Sequence, residues 1–133
     1  MNKNINLGLF IFRASTGILM LLHGLAKIKK GVSFIAGKLA EVGLPEFIAY
    51  GVYLGEIVFP LMMILGLRTR LAALGFAINC LFAIFLSHAN DIFVITPYGG
   101  WGIELLGLYL FGALGLFFTG GGAYGLSSRN KWD

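Results

Sequence analysis

Residues 46–67 read EFIAYGVYLGEIVFPLMMILGL. Past its opening Glu46, this run is apolar and long enough to cross a bilayer, for which a helix needs about 20 residues. It carries one charge near its middle, Glu56. The pattern recurs on both sides. Residues 7–26 form an earlier apolar run, and residues 71–88 and 101–119 form two later ones. Backbone N–H and C=O groups in hydrocarbon must be satisfied within the protein, so a spanning segment is either a helix or a strand of a closed barrel. Barrel strands alternate apolar and polar residues, and these runs are continuous. The sequence therefore predicts an all-α integral membrane bundle of four transmembrane helices. Its spans are about 7–26, 46–67, 71–88 and 101–119, within a single domain over 1–133.

Composition agrees with this. Of 133 residues, 58% are hydrophobic and 12% charged, and the mean hydropathy is +0.86. Soluble domains carry about 25% charged residues. So small a charged share cannot cover a surface facing water, but a lipid-facing surface needs no such cover. The formal net charge of +4 is spread over basic flanks between apolar runs, which suits a lipid bilayer and excludes nucleic acid as the natural partner. The lone cysteine, Cys80, has no second thiol in the chain. The first run is too long for a cleavable leader, contains Arg13 and has no small-x-small cleavage site after it.

The connections refine the picture. Lys27, Lys29 and Lys30 end the first span, and Gly31–Leu44 predicts a short amphipathic helix at the membrane interface. Pro45 suits the first turn of the second span, and Pro60 inside it removes a helix hydrogen bond and predicts a kink or thinned packing. The short Arg68-Thr69-Arg70 link makes the second and third spans antiparallel neighbours. A loop, 89–100, precedes the fourth span, and Gly120-Gly121-Gly122 reads as a flexible exit from it. Lys3, Arg68, Arg70, Arg129 and Lys131 fall at one end, with Lys27, Lys29, Lys30 and Lys38 at the other. That bias places both termini in the cytoplasm of a bacterial inner-membrane protein.

Ionisable side chains within a span cost about 2.5–3.5 kcal/mol each at a helix centre, so each is a functional candidate. Here they are Arg13, His23, Glu56, His88 and Glu104, with neutral Asn79 beside them. With the spans alternating in direction, His23, Lys27, His88 and Glu104 share the end of the bundle reached first, called the upper end below. Glu56 lies about 15 Å down the second span. Four helices thus aim polar groups into one half of the bundle. Glu56 must be protonated, paired or facing a wet cavity, and the nearest base expected on the first helix is His23 or Lys27, with His23 favoured over Arg13. Each has a structural alternative: a backbone hydrogen bond for His23, a wet boundary for His88, headgroup contact or an acid partner for Arg13, helix capping for Glu104 and interhelical bonding for Asn79. Glycine pairs Gly51/Gly55 and Gly107/Gly112 suit close helix packing. No paired-cysteine, P-loop or dinucleotide motif occurs, and nothing suggests a metal site.

The ordered set Arg13, Gly17, His23-Gly24-x-x-Lys27, Gly43-Leu44-Pro45, Glu56, Leu65-Gly66-Leu67-Arg68-Thr69-Arg70 and the closing glycine run resembles the DoxX family. His23, Lys27, Glu56 and Arg68 match the patterned positions. The resemblance implies a four-helix bacterial inner-membrane protein with a redox association, since the family is named after a subunit of a thiosulfate:quinone oxidoreductase. Nothing in the chain resembles a separate thiosulfate-binding domain. The expectation is a quinone-like ligand in the upper half. Glu56 and His23 would act as proton relay and carbonyl partner, Lys27, His88 and Glu104 would help bind, and a protein partner or second copy would supply electrons. Haem held between two histidines is the weaker cofactor reading. A non-catalytic scaffold built on the glycine faces and a small proton-coupled transporter are the competing functions.

Overall fold

A computed structural model describes residues 2–133. Helix α1 spans Ile5–Lys30, running past the expected end at residue 26. Its buried positions Arg13, Thr16, Gly17, Met20 and Gly24 recur every three or four residues and form one seam. Helix α2 covers Ser33–Glu41. Helix α3 covers Glu46–Leu65, opening as a 3₁₀ turn over Glu46–Tyr50. Helix α4 covers Thr69–Ser87 and helix α5 Glu104–Thr119.

The protein is an all-α, multi-pass helical bundle. Helices α1, α3 and α4 are long and apolar enough to cross a membrane. Helix α5 is equally apolar but has 16 residues, about 24 Å against a hydrocarbon core of about 30 Å. It starts three residues later than the sequence predicts because Trp101 is committed to the preceding loop. The Trp101 indole N–H donates to the Ile92 carbonyl, and Trp101 pairs with Ile95 as an antiparallel bridge.

The core lies between α4 and α5. Ala73, Phe76, Ala77, Cys80 and Ile84 on α4 meet Tyr109, Leu110, Ala113 and Leu116 on α5. A smaller core of Val32, Leu39 and Ala49 fastens α2 to the start of α3. On the other side, α1 approaches α3 at two glycines. A Cβ on Gly17 would lie 2.8 Å from the Pro60 carbonyl oxygen, and one on Gly24 would lie 2.6 Å from that of Glu56. Only glycine allows this approach.

The lower end is tied by its arginines and the tail. Arg13 is fully buried. It neither reaches headgroups nor pairs with an acid, as the sequence suggested. It donates to the carbonyls of Met63 and Ile64 at 2.8 Å each and to Gly121 at 3.1 Å. Cations suit the carbonyl-rich C-terminus of a helix, and Arg13 caps that of α3. Arg70 does the same for α5 through the Phe117 carbonyl at 2.7 Å. The Gly120-Gly121-Gly122 run is no flexible exit. Gly120 and Gly122 take left-handed φ values of 78° and 79°, which turn the chain back, and the Gly121 N–H bonds the Asp133 carbonyl at 2.9 Å. Arg68 then clasps Asp133 at 3.0 Å and the Ser127 hydroxyl.

Candidate functional site: an ion pair between two chambers

Pro60 shapes the site. It has no N–H to give the carbonyl four residues back, that of Glu56, and its ring crowds that carbonyl. The helix answers with one π turn over Leu54–Val58, in which the Phe59 N–H bonds the Leu54 carbonyl. A π turn inserts an extra residue per turn and commonly marks functional positions. Here it displays Glu56 toward α1. Gly24 lets the two backbones close up at that level, and the side chain of Lys27, one turn further along α1, meets the carboxylate.

The Lys27 ammonium lies 2.5 Å from one Glu56 oxygen and 2.7 Å from the other. Glu56 is 8% exposed as a side chain and Lys27 32%. The Tyr53 hydroxyl donates to the Lys27 backbone carbonyl at 3.2 Å, which fastens this stretch of α1 to α3. Glu56 is thus inward-facing and bonded to α1, as expected, and of the two bases offered there, His23 and Lys27, it meets Lys27. The His23 ring makes no hydrogen bond among the described residues. It stands edge-on to the ring of Tyr109, centroids 6.4 Å apart.

The ion pair forms part of the wall of two cavities. The larger, about 510 Å³, lies among α2, α3 and α4 and includes Phe34, Val52, Leu54, Ile78 and Phe82 in its lining. Its rim residues Leu54 and Ile78 are themselves exposed. They lie about 12–14 Å along their helices from the upper ends, so this mouth opens sideways at mid-depth. The smaller cavity, about 280 Å³, lies on the α1 and α5 side and is lined by His23, Tyr109, Gly102, Ile103 and Leu106 among others. Lys27, Glu56, Ala83 and His88 border both.

The remaining candidates divide. His88 lies 3.3 Å from the Asp91 carboxylate and is about half exposed. Asn79 lines the larger cavity, in a notch opened by Gly55, where a Cβ would collide with its carboxamide. It makes no side-chain hydrogen bond among the described residues, so it does not bond helices together. Glu104 is exposed, lines neither cavity and sits beside Gly100 in the loop. Tyr109 escaped the sequence reading because a tyrosine in an apolar run looks like packing. Its 7% exposure and its place in the smaller cavity wall emerge only once α5 is docked. The packing glycines are largely spoken for within the chain: Gly107 by Trp101, Gly112 by Phe12 and Gly55 by Asn79.

Comparison with known proteins adds the family. The DoxX family model matches residues 8–89. The chain belongs to the DoxX family. A Bacillus subtilis (strain 168) protein named "Putative oxidoreductase CatD" is 33% identical over 84 residues, 63% of this chain and 62% of CatD. The match therefore spans less than two thirds of CatD's length. A Haemophilus influenzae (strain KW20) protein named "Uncharacterized protein" is 32% identical over 124 residues, covering 91% of this chain and 89% of that one. No solved structure matches significantly. The DoxX match takes in α1 from Gly8 onward, α3 and α4, and with them both partners of the ion pair, His23, Asn79 and His88. Tyr109 and Glu104 on α5 lie beyond it.

Proposed function

We propose that this DoxX protein is a membrane redox component that binds a quinone-like molecule from the lipid phase, its polar head against the Lys27–Glu56 pair. One observation carries this reading. An ion pair with a buried carboxylate and an unpartnered carboxamide, Asn79, face a largely apolar cavity, with Ser87 and His88 also in its wall, that opens sideways at mid-depth. Its 510 Å³ falls within the roughly 300–1,000 Å³ of small-molecule pockets. Asn79 and Lys27 would donate to carbonyl oxygens on the ring. Glu56, beside Lys27, would hold or pass a proton at a ring oxygen. When bound, a quinone supplies a two-electron, two-proton acceptor, and the electrons would come from a carrier on a partner protein. The name of CatD supports the redox class.

In this arrangement α5 acts as a fourth span, α2 lies along the upper interface, and the lower end faces the cytoplasm. Lys3, Arg68, Arg70, Arg129 and Lys131 gather at that lower end. Haem is the weaker reading because the cavity bordered by both His23 and His88 has only 280 Å³. Scaffolding loses its main support, since three of the four glycines behind it are covered by the chain's own side chains.

The test is binding of a short-chain naphthoquinone to protein in nanodiscs, read by thermal stabilisation and by saturation. Wild type should bind, while Asn79→Leu and the doubly neutral Lys27→Met/Glu56→Gln variant should each lose at least tenfold in affinity. Equal binding by all three would overturn the site.

A further inference from the structure

The pair that faces the large cavity also faces the small one, and the two cavities differ in kind. The large one is rimmed by Leu54, Ile78 and Phe82, exposed apolar side chains on α3 and α4. In a bilayer that rim meets acyl chains. The small one has Gly102 and Ile103, at the junction of the upper loop with α5, in its lining with exposed Leu105; its wall carries His23 and Tyr109, which the large cavity lacks, and exposed His88, which borders both. The His23 and Tyr109 side chains, which line only the small cavity, offer water polar partners that the apolar rim of the large one does not, and the space accommodates several molecules at about 30 Å³ each.

We propose that the small cavity is an aqueous vestibule that delivers protons from the upper surface to Glu56, so that one carboxylate serves water on one side and a lipid-derived ligand on the other. The vestibule itself stands independently; only the proton's destination rests on the quinone reading. In the step, an O–H bond forms on a Glu56 carboxylate oxygen as a protonated vestibule water gives up its proton. The Lys27 ammonium, a third exposed, turns its hydrogen bonds toward the vestibule water as its counter-charge disappears. The new O–H bond then breaks as the proton passes to a ligand oxygen in the large cavity, and the ion pair re-forms. The ionisable groups around Glu56 are Lys27 and His23 from α1, Cys80 from α4, His88 just past the end of α4 and Tyr109 from α5. Tyr109 is the positioning residue. Its ring packs on Phe76 at 5.7 Å and stands edge-on to His23, which fixes it in the vestibule wall.

Thiol accessibility tests this without any ligand. In a Cys80→Ala background, Leu106→Cys reports the vestibule and Phe82→Cys the large cavity. In nanodiscs, a charged thiosulfonate should modify Leu106→Cys at least tenfold faster than Phe82→Cys, and N-phenylmaleimide should remove or reverse that preference. Equal rates with the charged reagent, or a faster Phe82→Cys, would overturn the proposal. A second measurement avoids the cysteine variants. On transfer to D₂O, the Tyr109 C–O–H infrared band, identified by its loss in Tyr109→Phe, should shift within the mixing time. A band that persists for minutes would mean a dry cavity and would overturn the vestibule. Modified Leu106→Cys should still bind naphthoquinone within twofold of the unmodified protein, whereas modified Phe82→Cys should lose at least tenfold. If neither form binds quinone yet the accessibility pattern holds, the ligand reading fails and the vestibule stands.

Discussion

The two ends of the Lys27–Glu56 bridge are unequally buried, and that asymmetry makes a measurable prediction. Replacing Lys27 by Met strands a carboxylate that is 8% exposed. Breaking a buried pair in this way costs about 3–5 kcal/mol. The lower figure applies here, because Lys27 is 32% exposed and its end of the pair is already partly wet. Replacing Glu56 by Gln strands an ammonium that can turn toward water, and the amide keeps a hydrogen bond, so the loss is about 1–2 kcal/mol. Glu56→Ala leaves a small cavity as well and should cost more than Gln. For a chain of this length each kcal/mol moves Tm by about 3–5 °C. The expected falls in detergent are therefore about 10 °C for Lys27→Met and about 5 °C for Glu56→Gln. The double variant carries no stranded charge, so it should fall by less than the two single falls combined, with a coupling of about 2 kcal/mol. Thermal unfolding of the four proteins in one detergent decides it. Additive losses, or a Lys27→Met variant no weaker than Glu56→Gln, would refute the claim that Glu56 is held charged by Lys27 in a desolvated place.

Three further outcomes follow from the packing. Gly24→Val places carbon 2.6 Å from the Glu56 carbonyl oxygen. It should force α1 away from the π turn at a cost of about 1–3 kcal/mol, and a structure of the variant should show the Lys27–Glu56 contact lengthened. Arg13→Met withdraws donors from three carbonyls in a fully buried place, at an expected cost of at least about 3 kcal/mol. Arg13→Lys should not rescue it, because an ammonium lacks the planar fork; a Tm for the lysine variant equal to wild type would contradict this. The third concerns acid. Burial alone would raise the Asp133 carboxyl, but hydrogen bonds from the Ser127 hydroxyl, the Asn130 N–H and Arg68, with the charge of Arg68, outweigh it and hold the group at about 2. Because the folded value lies below the ordinary value of about 3.9, its contribution is complete above about pH 4 and is lost as pH falls toward 2. Trp132 fluorescence should accordingly stay constant down to about pH 4 and change below that. In Arg68→Gln the change should begin at a higher pH.

Much of the fold was legible because lipid imposes a simple rule on sequence. Runs of apolar residues marked every long helix, and the brief Arg68-Thr69-Arg70 link made α3 and α4 antiparallel. Glu56 was conspicuous for the same reason, since a mid-span carboxylate demands a partner. The partner's identity was harder to read. Lys27 and His23 are four residues apart on one face of α1, and the choice between them turns on the π turn after Tyr53. That turn has a cause in the sequence, Pro60, but a proline four residues beyond an acid yields a kink as readily as a π turn. Arg13 was misread because sequence shows no trace of bare carbonyls at a helix end 50 residues away. The glycine run was misread because its order comes from the tail folding back across Thr69 and Arg70. Asn79 and Tyr109 became informative only when the cavities that they line had closed around them.

The buried guanidinium of Arg13 also bears on how the chain is assembled. Its three acceptors are the Met63 and Ile64 carbonyls at the end of α3 and the Gly121 carbonyl, 108 residues later in the chain. When α1 first enters the bilayer during synthesis none of these exists, so the charge must stay at the headgroup surface. The end of α3 brings two of the acceptors and draws the side chain inward. The last arrives only when the tail has been made and has folded back. Assembly of the lower end is therefore completed late: α1 waits for the tail to return, 108 residues on, before its buried charge has its third acceptor.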